Sequence, residues 1–210
     1  MHDGGSHDTF AWRARPPSIQ QTILTCWAAA ISSFSRAVFG IKDFAGVPDV
    51  QAELRSFAAG EINADGSLQT PSGWITFARK FGLHVEEIRI RDPLSRRAGH
   101  ASPGVRVSKV ADDLRASHFV PKLHRSHVIV VKGTHDDTRP AHTVVVYGVD
   151  RFRLCFMDPL ADPALATDPA VSPDAVPLRP RGGSGRAGEN WYCETYQDFT
   201  DGPRYLLIWK

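Results

Sequence analysis

The stretch QQTILTCWAAAISSF, from Gln20 to Phe34, places two glutamines ahead of a cysteine at the predicted start of a helix. The unpaired N–H groups and the positive end of the dipole at a helix start stabilise a thiolate. Cysteine is also among the most frequently buried residue types. Cys26 taken alone therefore fits two interpretations, a nucleophile or a small core residue.

A thiol nucleophile needs a histidine base, and the base needs a carboxylate or an amide that orients it. Of the nine histidines, His142 opens the predicted strand HTVVVYGVD, and the next predicted strand, FRLCFM, leads into Asp158. Facing residues of an antiparallel hairpin lie equally far from the turn, and these two residues are equally far from Asp150. With an odd-length loop or a bulge in GVDRF, the register predicts that His142 and Asp158 face each other directly.

Each of these residues also has an ordinary structural interpretation. His142 could be a polar residue at a strand end, and Asp158 could open an Asp-Pro turn. The combination favours chemistry, because the hairpin supplies both the base and its orienting carboxylate to a cysteine at a helix start. Cys26, His142 and Asp158 therefore predict a catalytic triad, whereas Trp27 is predicted to pack in the core.

Apolar periodicity predicts helices in the first part of the chain and strands in the second. Apolar stripes at helical spacing predict helices over 25–40, 49–60, 72–81 and 107–117. Thr25 is predicted to cap the first of these helices. Runs rich in Val, Ile and aromatic residues predict strands over 83–90, 127–133, 142–150, 152–159 and 204–210. The segment ENWYCETYQDF predicts a short helix or a turn. Helices followed by strands, without βαβ alternation, predict an α+β fold with a mostly antiparallel sheet.

The predicted organisation is an N-terminal arm over 1–19 followed by one domain over 20–210. Within that domain, the helical part covers 25–82 and the sheet part covers 83–210. The stretch 159–188 is rich in proline and glycine and predicts a long irregular excursion.

Composition argues against several classes of protein. The chain is 42% hydrophobic and 23% charged with a formal net charge of +2, and its basic residues are scattered, so neither a nucleic-acid groove nor a membrane surface is indicated. The three cysteines have no CxxC spacing and the histidines no metal-ligand spacing, so no metal site is predicted. The odd cysteine count predicts at least one free thiol and fits a reducing compartment.

The chain shows neither an apolar signal-peptide core at its N-terminus nor a run of about 18 apolar residues. We therefore expect a soluble protein that is cytoplasmic or exported by a route other than Sec.

Residues 20–29 resemble the papain-like cysteine peptidases, in which a glutamine six positions before the nucleophile helps to form the oxyanion hole. The segment AHTVVVYGVD…FMDP resembles the His-strand-turn-strand-Asp-Pro segment of bacterial branches, which include double-glycine leader peptidases and secreted effector proteases. The resemblance implies a helical part that carries the nucleophile Cys26, packed on a sheet that carries the base His142 and its orienter Asp158. It implies Gln20 as the oxyanion donor, with Gln21 as the alternative, and no cofactor.

The sequence also departs from those branches. Trp27 follows the cysteine where leader peptidases usually have glycine, no inhibitory propeptide is recognisable, and the excursion over 159–188 has no counterpart. These departures leave the substrate class open.

Three functions fit the sequence. The first is a cysteine endopeptidase acting on a protein or peptide substrate. The second uses the same triad as an amidase, deamidase or acyltransferase, and the third is a non-enzymatic binding module in which Cys26 and His142 are core residues. The absence of a propeptide and a signal peptide motivates the further hypothesis of an effector or toxin held in check by an inhibitor or immunity partner.

Overall fold

An eight-stranded sheet is the central element of the computed structural model, which describes residues 10–21, 25–41, 44, 46–133, 142–160, 190–200 and 202–210. The strands are β1 Ala11–Trp12, β2 His84–Ile90, β3 Val107–Ala111, β4 Val128–Gly133, β5 His142–Val149, β6 Arg153–Met157, β7 Trp191–Thr195 and β8 Arg204–Trp209. The helices are α1 Cys26–Phe39, α2 Val47–Ala58, α3 Ser72–Lys80, α4 Ala116–Leu123 and α5 Tyr196–Phe199, and a 3-10 turn covers Ala59–Glu61.

The sheet has the strand order β3-β2-β8-β4-β5-β6-β7, and β1 pairs with the far end of β5. All of these pairs are antiparallel except β2 with β3. The predicted α+β fold with a mostly antiparallel sheet is therefore confirmed. None of the described helices is long and apolar enough to cross a bilayer.

Helix α1 is almost entirely enclosed, which fixes the position of Cys26 at its start. Of the predicted stripe, Trp27, Ile31 and Phe34 are buried and Val38 is half-buried, and the three alanines that follow Trp27 are buried as well. These small side chains let the helix approach β5, β4 and α2 closely. The helix ends as predicted at Gly40, whose φ of 65° is left-handed. Thr25 precedes the helix as predicted, but its side chain makes no capping hydrogen bond.

The central strands are buried on both faces. Alternate residues of β4 and β5 enter two different apolar clusters: Ile129 and Val145 pack with α1, α2 and α3, whereas Val130 and Val144 pack with α4 and α5. Strands enclosed on both sides read as nearly continuous apolar runs, which is why HVIVVKG and HTVVVYGV were recognisable. The two strands can therefore hold the residues at their ends in a fixed position.

The predicted helix over 107–117 is wrong. Val107–Ala111 forms β3, which pairs in parallel with β2, and a helix begins only at Ala116. Val107 and Val110 are 46% and 41% exposed, so the apolar residues of this segment do not mark one buried helical face. Pairing with a neighbouring strand overrides the local pattern here, and β-branched valine suits that pairing.

The segment 190–200 adds a strand that the sequence did not predict. ENWYCETYQDF, for which a short helix or turn was expected, forms β7 against β6 before the short helix α5. Residues 161–189 separate the two paired strands and lie outside the described residues, as does nearly all of the predicted excursion over 159–188.

Residues 10–19 of the predicted arm are described, and they are tied into the sheet. Ala11 and Trp12 form β1, and the Trp12 ring lies against Gly148 of β5. A Cβ at position 148 would come within 2.1 Å of the Trp12 ring, so only glycine permits this contact. Residues 11 and 12 of the arm are thus a part of the fold.

Cys155 and Cys193 face each other on β6 and β7 and form a disulfide, and Cys26 is the free cysteine of the described chain. The free thiol is as predicted. The disulfide was not predicted, and it argues against the reducing compartment that the cysteine count favoured, since disulfides persist mainly in oxidising environments.

We expect the disulfide to stabilise the fold, because it closes a sequence separation of 38 residues and fixes the edge strand β7. Replacing Cys155 and Cys193 by serine should lower the free energy of unfolding of air-oxidised protein by about 2–4 kcal/mol, measured by urea denaturation. Reduced wild type should match the serine variant. Three titratable thiols in unfolded, oxidised wild type, in place of one, would contradict the pairing.

Candidate active site

His142 and Asp158 form the centre of the candidate site. His142 Nε2 donates a hydrogen bond to Asp158 Oδ1 over 2.9 Å, and the two side chains are 29% and 14% exposed. Burial by itself lowers the pKa of His142. The Asp158 carboxylate and hydrogen bonds to Asp158 and Cys26 outweigh burial and raise that pKa to about 10. The histidine is therefore held as an imidazolium at neutral pH.

Cys26 reaches the same imidazole from the start of α1. Its side chain interacts with His142 and, after Asp158, contributes to the raised pKa of the imidazole. Cys26 is 8% exposed, and the helix begins at this residue, with the N–H groups of Ala28 and Ala29 both bonded to the Thr25 carbonyl. The structure thus brings together the three residues predicted to form the triad.

The contact between His142 and Asp158 arises from a register that differs from the predicted one. The hairpin turns tightly, with the Asp150 N–H bonded to the Arg153 carbonyl, and β5 carries a bulge between Val146 and Gly148. Beyond the bulge, Val145 pairs with Met157. Continued by one step, this register sets Asp158 opposite Val144. His142 and Asp158 are therefore diagonal neighbours on one face, and the prediction that they face each other directly is wrong.

A diagonal pair still permits the observed hydrogen bond. Cβ atoms at such positions are separated by about 7–8 Å, which an imidazole and a carboxylate together can span. A slip of one residue would have turned Asp158 to the opposite face of the sheet. The predicted register differs from the observed one by two residues. Because side chains alternate between the two faces of a strand, a shift of two residues leaves Asp158 on the same face as His142.

Asp158 is fixed by its backbone as well as by its side chain. Its N–H donates to the Asn190 carbonyl over 2.8 Å, and its Oδ1 also accepts the Leu160 N–H over 2.9 Å. Burial by itself raises the pKa of Asp158, but the charge and hydrogen bond of the His142 imidazolium, the hydrogen bond from the Leu160 N–H and the charge of Lys132 lower that pKa below its ordinary value. The carboxylate therefore stays ionised and holds the imidazole in one orientation.

Exposure separates the two candidate oxyanion glutamines. Gln20 is exposed, whereas Gln21 is 8% exposed and its N–H donates to the Pro159 carbonyl over 3.1 Å. Among the residues that the structure describes, the buried Gln21 Oε1 atom has no hydrogen-bond partner. The spacing to Cys26 favours Gln20, and the burial beside the Asp158 segment favours Gln21. The assignment of Gln20, with Gln21 as the alternative, stays a prediction.

Asn190 belongs to the site although no sequence pattern marks it. It is 1% exposed, and besides its bond to Asp158 it contacts Ser18 and Ile19 of the arm. The position of Asn190 depends on where the chain rejoins the sheet after residue 160, and local periodicity does not predict that point.

No group of three or more His, Cys, Asp or Glu side chains within the described ranges could hold a metal ion. The polar groups of the site are those of a nucleophile, a base and an orienting carboxylate. No model of a known protein family matches this chain, and no curated protein matches it.

The raised pKa of His142 predicts how stability depends on pH. The folded protein keeps a proton that the unfolded chain releases near pH 6.5, so the stabilisation is complete below pH 6.5 and is lost as pH rises through about 10. Between these values, the free energy of unfolding should fall by up to about 1.4 kcal/mol per pH unit, measured by urea denaturation. Asp158→Asn should abolish this slope, whereas the control His100→Gln, at an exposed residue, should retain it. An equal slope in wild type and Asp158→Asn would contradict the assignment.

Proposed function

We propose that the protein is a cysteine protease that hydrolyses peptide bonds through Cys26, His142 and Asp158. The observation that carries this proposal is the hydrogen bond of 2.9 Å between His142 Nε2 and Asp158, made by an imidazole that also interacts with the Cys26 side chain. Acyl transfer by a thiol requires a nucleophile, a base that interacts with the nucleophile, and a group that orients the base.

The proposed reaction begins with Cys26 as a thiolate beside the His142 imidazolium. The thiolate attacks the carbonyl carbon of the substrate, a C–S bond forms, and the carbonyl oxygen becomes an oxyanion. His142 gives its proton to the leaving amine as the C–N bond breaks. Neutral His142 then takes a proton from water, whose oxygen attacks the acyl carbon, and the Cys26 thiolate leaves. Asp158 holds the imidazole in position throughout.

The oxyanion needs donors at the position where its charge develops. The Cys26 backbone N–H and one glutamine side chain, that of Gln20 or Gln21, are the groups proposed for this role. Both glutamines directly follow the arm, where Asn190 binds the Ile19 carbonyl and Pro159 accepts the Gln21 N–H beside the loop of Asp158. The contacts of this segment support a papain-like arrangement, in which the helix and the sheet supply opposite sides of one site.

Cys26→Ala provides the direct test of proteolysis. Because the thiolate forms the covalent intermediate, expression of wild type in cells should generate new protein N-termini that expression of Cys26→Ala does not, measured by proteome-wide N-terminal profiling. Conversion of substrate glutamines to glutamates that depends on Cys26, without new termini, would replace the protease by a deamidase. If neither appears, and iodoacetamide labels Cys26 no faster than a free thiol, the enzymatic proposal is wrong.

Separate alanine variants should identify the oxyanion glutamine. Removing one such donor typically costs about 2.7–4 kcal/mol, so either Gln20→Ala or Gln21→Ala should lower kcat by about 10²–10³-fold with little change in KM. The other variant serves as the matched control one position away. Losses below about threefold in both would contradict a glutamine oxyanion donor.

A further inference from the structure

We propose that Asn190 is a positioning residue that holds the oxyanion glutamine in place through the two residues ahead of it; this role rests on the proposed function. No sequence pattern marks this position. The buried Asn190 side chain and its backbone together make three hydrogen bonds to two different parts of the site.

Both polar atoms of the Asn190 side-chain amide are hydrogen-bonded to the arm. Its Oδ1 accepts a hydrogen bond from the Ser18 hydroxyl, and its Nδ2 donates to the Ile19 carbonyl over 3.2 Å. The Asn190 amide can accept from Ser18 and donate to Ile19 at the same time only when the arm holds one position relative to the Asn190 side chain. Gln20 and Gln21 follow directly, so their placement depends on these bonds.

The backbone of Asn190 is bonded to the other half of the site. Its carbonyl accepts the Asp158 N–H over 2.8 Å, just before β7 pairs with β6. One residue therefore joins the glutamine segment to the carboxylate that orients His142. At 1% exposed, Asn190 makes these bonds away from competing water.

Two neighbouring hydrogen bonds also hold the arm in place. The Trp191 indole donates to the Pro16 carbonyl over 2.9 Å, and the Ser33 hydroxyl of α1 donates to the Pro17 carbonyl over 2.6 Å. These contacts fix the approach of the arm, whereas Asn190 fixes the residues adjoining the glutamines. Oxyanion donors work only when supporting groups hold them close to the productive geometry.

Two reactions of Cys26 separate a positioning role from a general structural one. Acylation by p-nitrophenyl acetate forms a C–S bond, passes through a tetrahedral oxyanion and expels p-nitrophenolate. Alkylation by iodoacetamide forms a C–S bond and expels iodide without an oxyanion. Both need the same thiolate, so the ratio of the two rate constants reports the oxyanion hole independently of the natural substrate.

We expect Asn190→Ala to lower the acylation rate of Cys26 by about tenfold or more while alkylation changes less than about twofold. Asn63→Ala is the matched control, since Asn63 is exposed and bonds to Ser67 within its own loop. In a Gln20→Ala/Gln21→Ala background, Asn190→Ala should have no further effect on the ratio, because the group it positions is gone.

Ser18 gives a second, milder variant should Asn190→Ala fail to fold. Ser18→Ala removes one of the two side-chain bonds and should lower the ratio by about threefold, and Ser18→Thr, which keeps the hydroxyl, should restore it.

Two results would overturn the inference in different ways. If wild-type Cys26 reacts no faster than a free thiol with both reagents, the proposed function and the role of Asn190 both fail. If wild type reacts fast, but Asn190→Ala and Ser18→Ala leave the ratio unchanged or lower both rates equally, the proposed function stands and the positioning role is wrong.

Discussion

The charge-assisted hydrogen bond between His142 and Asp158 is the interaction on which the rest of the site depends. Burial disfavours the charged form of each residue, and their pairing reverses that penalty for both. Removing either partner would leave a buried charge without compensation, which costs more than the pair contributes. Strands β5 and β6 must therefore hold the two residues in one register, and Cys26 must meet an imidazole that is already fixed.

Several features of the sheet preserve that register. The bulge between Val146 and Gly148 shifts the pairing by one position, and Trp12 packs against the bulged strand where only glycine leaves room. A slip of one residue would turn every side chain of β5 to the opposite face of the sheet and would carry His142 away from Asp158. The geometry of the base thus depends on packing outside the site, including that of Trp12 in the arm.

Sequence patterns predicted the parts of the molecule that local periodicity determines. The stripe of Trp27 and Ile31 located α1 and so the position of Cys26, and the valine runs located the strands that carry His142 and Asp158. The failures lie where pairing partners decide the structure. The edge strands β3 and β7 have weak patterns of their own, and the offset of the hairpin depends on a bulge that the letters GVDRF do not specify. The contacts of Asn190 and the disulfide were not predicted either, because both depend on the position of β7.

The energetic cost of the site supports the proposed function. A partly buried His–Asp pair is often less stabilising than apolar residues of similar size, and a buried amide oxygen without a partner among the described residues, such as Gln21 Oε1, costs about 1–3 kcal/mol. Thr143, next to His142, also has a buried hydroxyl without a partner in the described structure. A binding module that used Cys26 and His142 only as core residues would gain stability by replacing these groups. The His142–Asp158 pair lies at the free thiol of the described chain, an arrangement that fold stability alone does not require.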